Sequence, residues 1–203
     1  MKKVLYYTSM NYEILINQLV ENNWTTLENF LSDETCDALV KEFNDVKLSK
    51  AKVGIGQTRT FRPEIRSDSI AWLDANNATI LQKNYLEKMN DLQLAVNRSL
   101  YLGLKEFECH LALYQKGEHY SKHTDQFQGN NSRTLTAITY LNTPSSGGEL
   151  IIYKKNNPDE IDEIIKPKKG LFICFLSDRL YHEVKVTNEN RYSLTGWFKN
   201  SIG

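Results

Sequence analysis

Apolar positions along this chain follow two different periods, and the change comes near residue 104. Before it, Ile14, Leu15, Leu19 and Val20 recur at helical spacing, which predicts a helix over about 11–22. A short strand is expected over 24–31. Ser32 or Asp33 can then cap a helix whose apolar face holds Cys36, Leu39, Val40 and Phe43. A longer helix is predicted over about 77–102. Leu81, Tyr85, Met89, Leu92, Val96 and Leu100 fall three or four residues apart there, a stripe that Leu86 and Ala95 broaden. Residues 49–66 break the pattern. Lys, Gly, Gln, Thr and Arg dominate, with Gly54, Gly56 and Pro63, and about 51–66 reads as a long mobile loop.

Beyond residue 104 the period becomes two. The runs 107–115, 134–142, 148–153, 161–167, 171–176, 182–186 and 191–199 are short and rich in β-branched and aromatic residues. Gly, Asn, Pro and Ser clusters separate them. Strands in series after helices predict an α+β fold in which a helical layer packs on a β-sandwich or jelly roll. With no internal repeat, the whole of 1–203 is expected to form one domain, with 1–103 as helical support and 104–199 as the β core. The charged stretch 154–160 is expected to be a solvated hairpin tip.

Composition narrows the field. The 25 basic and 25 acidic residues cancel, so no global field favours nucleic acid or an anionic membrane, and neither is expected as a partner. No apolar run is long enough to span a bilayer. The apolar stretch after Lys2 and Lys3 is broken by Thr8, Ser9, Asn11 and Glu13, so a secretory leader is not expected. Cys36, Cys109 and Cys174 are odd in number and widely spaced; they read as buried thiols of a cytoplasmic protein, with no Cys-x-x-Cys pair for zinc or redox chemistry.

Candidate chemistry begins at His123-Thr124-Asp125. In an extended segment residues i and i+2 share a face, so this pair can bind one ion. His182 opens a later strand. Two imidazoles and a carboxylate on adjacent strands form a facial triad that leaves three cis positions of an octahedral iron(II) open. Arg191 follows, and alternation places it on one face with Ser193, Thr195 and Trp197. If that face is a cavity, a guanidinium inside it needs an anionic partner. None of these neighbours is acidic, so a dicarboxylate ligand would serve. Taken alone, the pattern fits a solvated edge arginine as well. His110 shares parity with Ala112 and Tyr114 and reads as a core or rim histidine, not a fourth ligand.

The segment Tyr114-Gln115-Lys116-Gly117-Glu118-His119-Tyr120-Ser121-Lys122-His123-Thr124-Asp125 resembles the Tyr-x-x-Gly-x-x-Tyr-x-x-His-x-Asp motif of the prolyl hydroxylase branch of the iron(II)- and 2-oxoglutarate-dependent oxygenases. Thr136 to Asn142, Gly147-Gly148-Glu149-Leu150, Ser177-Asp178-Arg179 before His182, and Arg191 with Thr195 and Trp197 follow that pattern in order. Upstream, Ile65 to Trp72 resembles a loop end of the hypoxia-inducible-factor prolyl hydroxylases and their bacterial relatives. The resemblance implies a double-stranded β-helix (a cupin-like jelly roll) with its N-terminal helices packed on one sheet. It implies iron(II) on His123, Asp125 and His182, and 2-oxoglutarate on Arg191 and Tyr140, with Tyr114, Thr195 and Trp197 lining that site. Ile138 and Val184 would give apolar cover, and Arg66 and Trp72 would meet substrate. An Asp68–Arg133 ion pair would anchor a substrate-covering loop. The implied reaction hydroxylates a prolyl residue of a protein or peptide, consuming O2 and releasing succinate and CO2, with ascorbate as an auxiliary cofactor. Hydroxylation of a free amino acid, a peptide or another residue type stays open, as does a cupin-like metal sensor without turnover.

Overall fold

The computed structural model describes residues 12–54, 59–126 and 132–200. Helix α1 (Glu13–Asn22) leads into β1 (Trp24–Leu27), α2 (Asp33–Glu42), β2 (Ser49–Lys50), β3 (Ser69–Trp72) and α3 (Ile80–Leu100). Eight strands follow: β4 (Glu106–Tyr114), β5 (Tyr120–His123), β6 (Arg133–Tyr140), β7 (Leu150–Lys154), β8 (Asn157–Ile165), β9 (Phe172–Leu176), β10 (His182–Val184) and β11 (Arg191–Lys199). Ser32 caps α2 by accepting from the Thr35 amide, and Thr79 caps α3 by accepting from Gln82.

Two antiparallel sheets face each other. One has seven strands in the order β1-β9-β6-β11-β4-β3-β2, and the other has four in the order β5-β10-β7-β8. Alternation along the large sheet divides its side chains between two cores. Cys109, Leu111, Leu135, Ala137, Phe172, Cys174, Leu194 and Phe198 point outward and pack with Leu39 of α2 and Tyr85, Met89, Leu92 and Val96 of α3. Ala112, Tyr114, Ile138, Tyr140, Ile173 and Phe175 point inward, against Leu150, Ile152 and Val184 of the small sheet. The helices therefore stiffen one sheet from behind and leave the space between the sheets for chemistry. This is the α+β double-stranded β-helix arrangement with helices on one sheet. All three cysteines are buried free thiols. No helix among the described residues is long and apolar enough to cross a membrane.

Three boundaries differ from expectation. Strand β1 stops at Leu27 because Asn29 turns the chain through a left-handed conformation (φ 54°), seating Phe30 on Phe172 with ring centroids 4.5 Å apart. The expected tip at 154–160 shrinks, since β8 already begins at Asn157. Pro158 is tolerated within it because β8 is an edge strand, where a missing N–H costs no ladder bond. The 51–66 segment is a hydrogen-bonded finger in its described part. Val53 and Thr60 exchange backbone hydrogen bonds, and the Ala51 amide donates to the Asp68 carbonyl. Arg66 bridges Tyr120. Gly56 and the rest of 55–58, part of the expected mobile loop, lie outside the described residues.

Candidate metal and cosubstrate site

His123 ends β5 and His182 begins β10, directly opposite one another in the ladder. Asp125 follows two residues after His123. His123 Nε2 lies 3.6 Å from Asp125 Oδ1, and His182 Nε2 lies 3.5 Å from Oδ2. The donor atoms of all three residues fall within 4.8 Å of one another. Backbone carbonyls set the orientation of both rings: His123 Nδ1 donates to Ser121 O at 2.7 Å, and His182 Nδ1 to Leu180 O at 3.3 Å. Each Nε2 lone pair is thereby turned toward the carboxylate, the arrangement a metal-binding histidine requires. Thr136 donates to Asp125 Oδ2 at 2.6 Å and is 2.9 Å from the Ser177 hydroxyl, which fixes the carboxylate from behind.

The electrostatics favour a cation at this point. Burial, then the proximity of His123, pushes His182 down to about 4, so its imidazole is neutral at pH 7. Burial opposes the charge on Asp125, yet the two histidines and Thr136 outweigh it and hold the carboxyl well below its usual range. Among the described residues no Lys or Arg pairs with Asp125. A buried carboxylate flanked by two correctly turned imidazoles is a set that iron(II) fits.

Deeper in the same cavity, Arg191 opens β11 opposite Tyr114 and is 2% exposed. Its Nη2 donates to Tyr140 Oη at 3.0 Å, and the guanidinium lies over the Tyr140 and Tyr114 rings at 4.6 and 4.9 Å. Its Nε has no partner, and among the described residues no carboxylate pairs with it. The solvated-edge alternative is therefore excluded: this is a buried cation with an open side. Tyr114, Ile138, Leu150, Val184, Thr195 and Trp197 line the cavity between Arg191 and the triad. The space is narrow, about 30 Å³. Gly148, at φ +72°, lets the chain pass Arg191; a Cβ there would come within 2.9 Å of Arg191 Cδ.

The cavity opens into an outer groove of about 450 Å³ that shares Arg66, His110, Tyr120, Asp125 and Trp197 with it. Trp72 stands at the lip, 47% exposed, its ring edge-on to His110 at 5.0 Å. Arg66 lines both spaces, but its guanidinium is held by Asp68 through bonds of 2.6 and 2.9 Å. The expected Asp68–Arg133 anchor is thus not formed. Arg66 and Asp68 share one side of an extended segment and pair locally, while Arg133 donates to Glu108 at 2.7 and 2.9 Å and lies 3.6 Å from the Trp197 ring centre. Sequence reasoning did not assign roles to Thr136 and Tyr120. Thr136 shares parity with Ile138 and Tyr140, and Tyr120 stacks on His123 at 3.5 Å.

His110 is buried with its Nε2 unpartnered, and it does not belong to the group of donor atoms that lie within 4.8 Å of one another. Burial, then the Arg66 charge, pushes its pKa down to about 3. The unfolded chain, titrating near 6.5, binds the proton that the folded protein refuses, so stability is lost as pH falls below about 6.5. Between pH 7 and 5 this one residue costs about 2 kcal/mol. Urea unfolding of the wild type and of His110→Met at both pH values checks this: the variant should lose about that much less on acidification, and equal losses would refute it.

Comparison with known proteins fits this geometry. The sequence matches the model of the 2OG-Fe(II) oxygenase superfamily over residues 109–199. A prolyl-4-hydroxylase from Pseudomonas putida is 32% identical, superposes with a TM-score of 0.81, and is matched over 93% of this chain and 98% of its own. A prolyl hydroxylase from Trichoplax adhaerens, solved with a hypoxia-inducible-factor peptide, is 24% identical with a TM-score of 0.78, over 95% and 94% of the two chains. A fowlpox virus protein without assigned function is 24% identical over 161 residues, 74% of this chain. This chain spans only about a third (36%) of that viral relative's length.

Proposed function

The chain belongs to the 2OG-Fe(II) oxygenase superfamily, and from that premise we propose that it hydroxylates a prolyl residue within a protein or peptide. The observation that carries the reading is Arg191, a buried guanidinium without a carboxylate partner in the same cavity as the His–Asp–His set. A metal sensor needs no such cation, so turnover is favoured over sensing. The prolyl assignment draws its support from the 32% identity to the Pseudomonas putida enzyme.

In this reading His123, Asp125 and His182 hold iron(II), while Arg191 and Tyr140 hold the distal carboxylate of 2-oxoglutarate. When bound, the metal and cosubstrate supply oxidative decarboxylation, consuming O2 and releasing succinate and CO2, coupled to hydroxylation of a C–H bond. The chain's own contribution is positional. Ser121 O and Leu180 O fix the imidazoles, Thr136 fixes the carboxylate, and Tyr114, Ile138, Thr195, Trp197 and Val184 keep water from the cosubstrate wall. Trp72 and the described part of the finger border the groove through which a substrate chain would pass. Ascorbate as auxiliary cofactor and a cytoplasmic location belong to the same proposal.

The test is succinate release from 2-oxoglutarate with and without a proline-containing protein extract, followed by mass spectrometry for an added oxygen on proline. Replacing residues 52–62 by a short Gly linker should lower the ratio of hydroxylated product to succinate by roughly tenfold, the effect of losing about 1.4 kcal/mol of substrate contact. An unchanged ratio would make the finger irrelevant to substrate. Hydroxylation on a residue other than proline would favour the alternative substrate class.

A further inference from the structure

The outer groove has a charge that the chain as a whole lacks. Acidic and basic residues balance at 25 each over the sequence. The groove is nevertheless lined by Lys47, Lys50, Lys52, Arg59, Arg66 and Arg133 against a single acid, Asp125, which the proposed metal would claim. Three of these cations are already occupied: Lys50 by Glu118, Arg66 by Asp68 and Arg133 by Glu108. Lys47, Lys52 and Arg59 are exposed and form no ion pair among the described residues. A cleft lined by one sign of charge on low-dielectric walls raises the local concentration of the opposite charge.

From this asymmetry we infer that the groove selects an acidic polypeptide segment, with Asp or Glu residues flanking the residue that reaches the triad. The inference rests on the hydroxylase reading and names its substrate class. Lys47, Lys52 and Arg59 supply the charge contacts, while Ile70 and Trp72 supply an apolar floor. The outermost strand of the large sheet, β2, has both residues exposed and borders the same groove, so an extended chain can add along its free edge. A single-stranded nucleic acid fits less well. Such grooves offer successive bases several exposed rings, whereas Trp72 is the one exposed aromatic side chain among the described groove residues.

Fluorescence anisotropy decides the matter with the full chain, manganese(II) and 2-oxoglutarate present. The probes are labelled peptides with one proline core flanked by Glu, Gln or Lys, and a single-stranded oligonucleotide. The Glu-flanked peptide should bind on the order of tenfold more tightly than the Gln-flanked one, as expected of a few partly exposed ion pairs. That preference should shrink as salt is raised. In the double variant Lys52→Glu, Arg59→Glu the order should reverse in favour of the Lys-flanked peptide, an outcome that misfolding cannot produce. Equal binding of Glu- and Gln-flanked peptides, no binding of the Glu-flanked one, or tighter binding of the oligonucleotide than of every peptide would overturn the inference. A charge preference in binding without hydroxylation would count against the hydroxylase reading instead, and hydroxylation without charge preference against this one.

Discussion

Replacing His182 with Ala is expected to abolish 2-oxoglutarate turnover while leaving a cooperatively folded protein. The imidazole supplies one of the three donors found among the described residues, and its Nε2 faces Asp125 at 3.5 Å. Its loss should weaken metal binding by more than the roughly 10–100-fold that removing a mere supporting partner of a ligand costs. The fold should survive, because the buried Asp125 carboxylate keeps His123 and Thr136 as partners when His182 is removed. Deleting one buried side chain beside Phe175 costs about 0.5–3 kcal/mol. Metal titration by calorimetry, denaturant unfolding and succinate formation read the three effects separately. Wild-type turnover in His182→Ala would mean that the triad is misassigned.

Arg191 should show opposite signs in stability and binding. The free protein carries a buried guanidinium that has one hydrogen bond, to Tyr140, and no counter-charge among the described residues. A buried charge in that state is a cost to folding, which bound cosubstrate would offset. Arg191→Met should therefore leave the cosubstrate-free protein at least as stable as the wild type in urea. Its affinity for 2-oxoglutarate should fall by about 1.5–3 kcal/mol, roughly 10–150-fold. Arg191→Lys keeps the charge but loses the planar fork and should recover only part of that loss. Unchanged 2-oxoglutarate binding in Arg191→Met would remove the assigned role. A large loss of stability would show that the guanidinium is structural.

What was legible in the sequence follows from how strongly each feature is set by local pattern. Period-two alternation after residue 104 placed Arg191, Thr195 and Trp197 on one face and Tyr192, Leu194 and Phe198 on the other, and the two cores divide along that line. Helix α3 was legible because its stripe had one sheet face to cover. Strand β5 was not recognised as a strand in its own right: Tyr120–His123 is short and polar, and it exists because His182 pairs with it across the small sheet. Nor was the partner of Asp68 legible. Ion pairing depends on which groups end up within a few ångströms, and Glu108 on β4 reaches Arg133 on β6 across the intervening strand β11, by a register that no local pattern encodes. The triad itself was readable because its first two ligands are two residues apart in one chain segment. Its closure by His182 was a consequence of topology, and so was the unpaired state of Arg191.

The central claim is that the triad and Arg191 together couple cosubstrate oxidation to O2. Incubation with iron(II), 2-oxoglutarate and isotopically heavy dioxygen, followed by mass spectrometry of succinate, tests it most directly. In the coupled reaction one oxygen atom enters succinate and the other enters the hydroxylated product. Heavy label in succinate, absent from parallel reactions of His182→Ala, is the predicted result. No succinate, or succinate without label under conditions where the protein binds both metal and 2-oxoglutarate, would contradict the account.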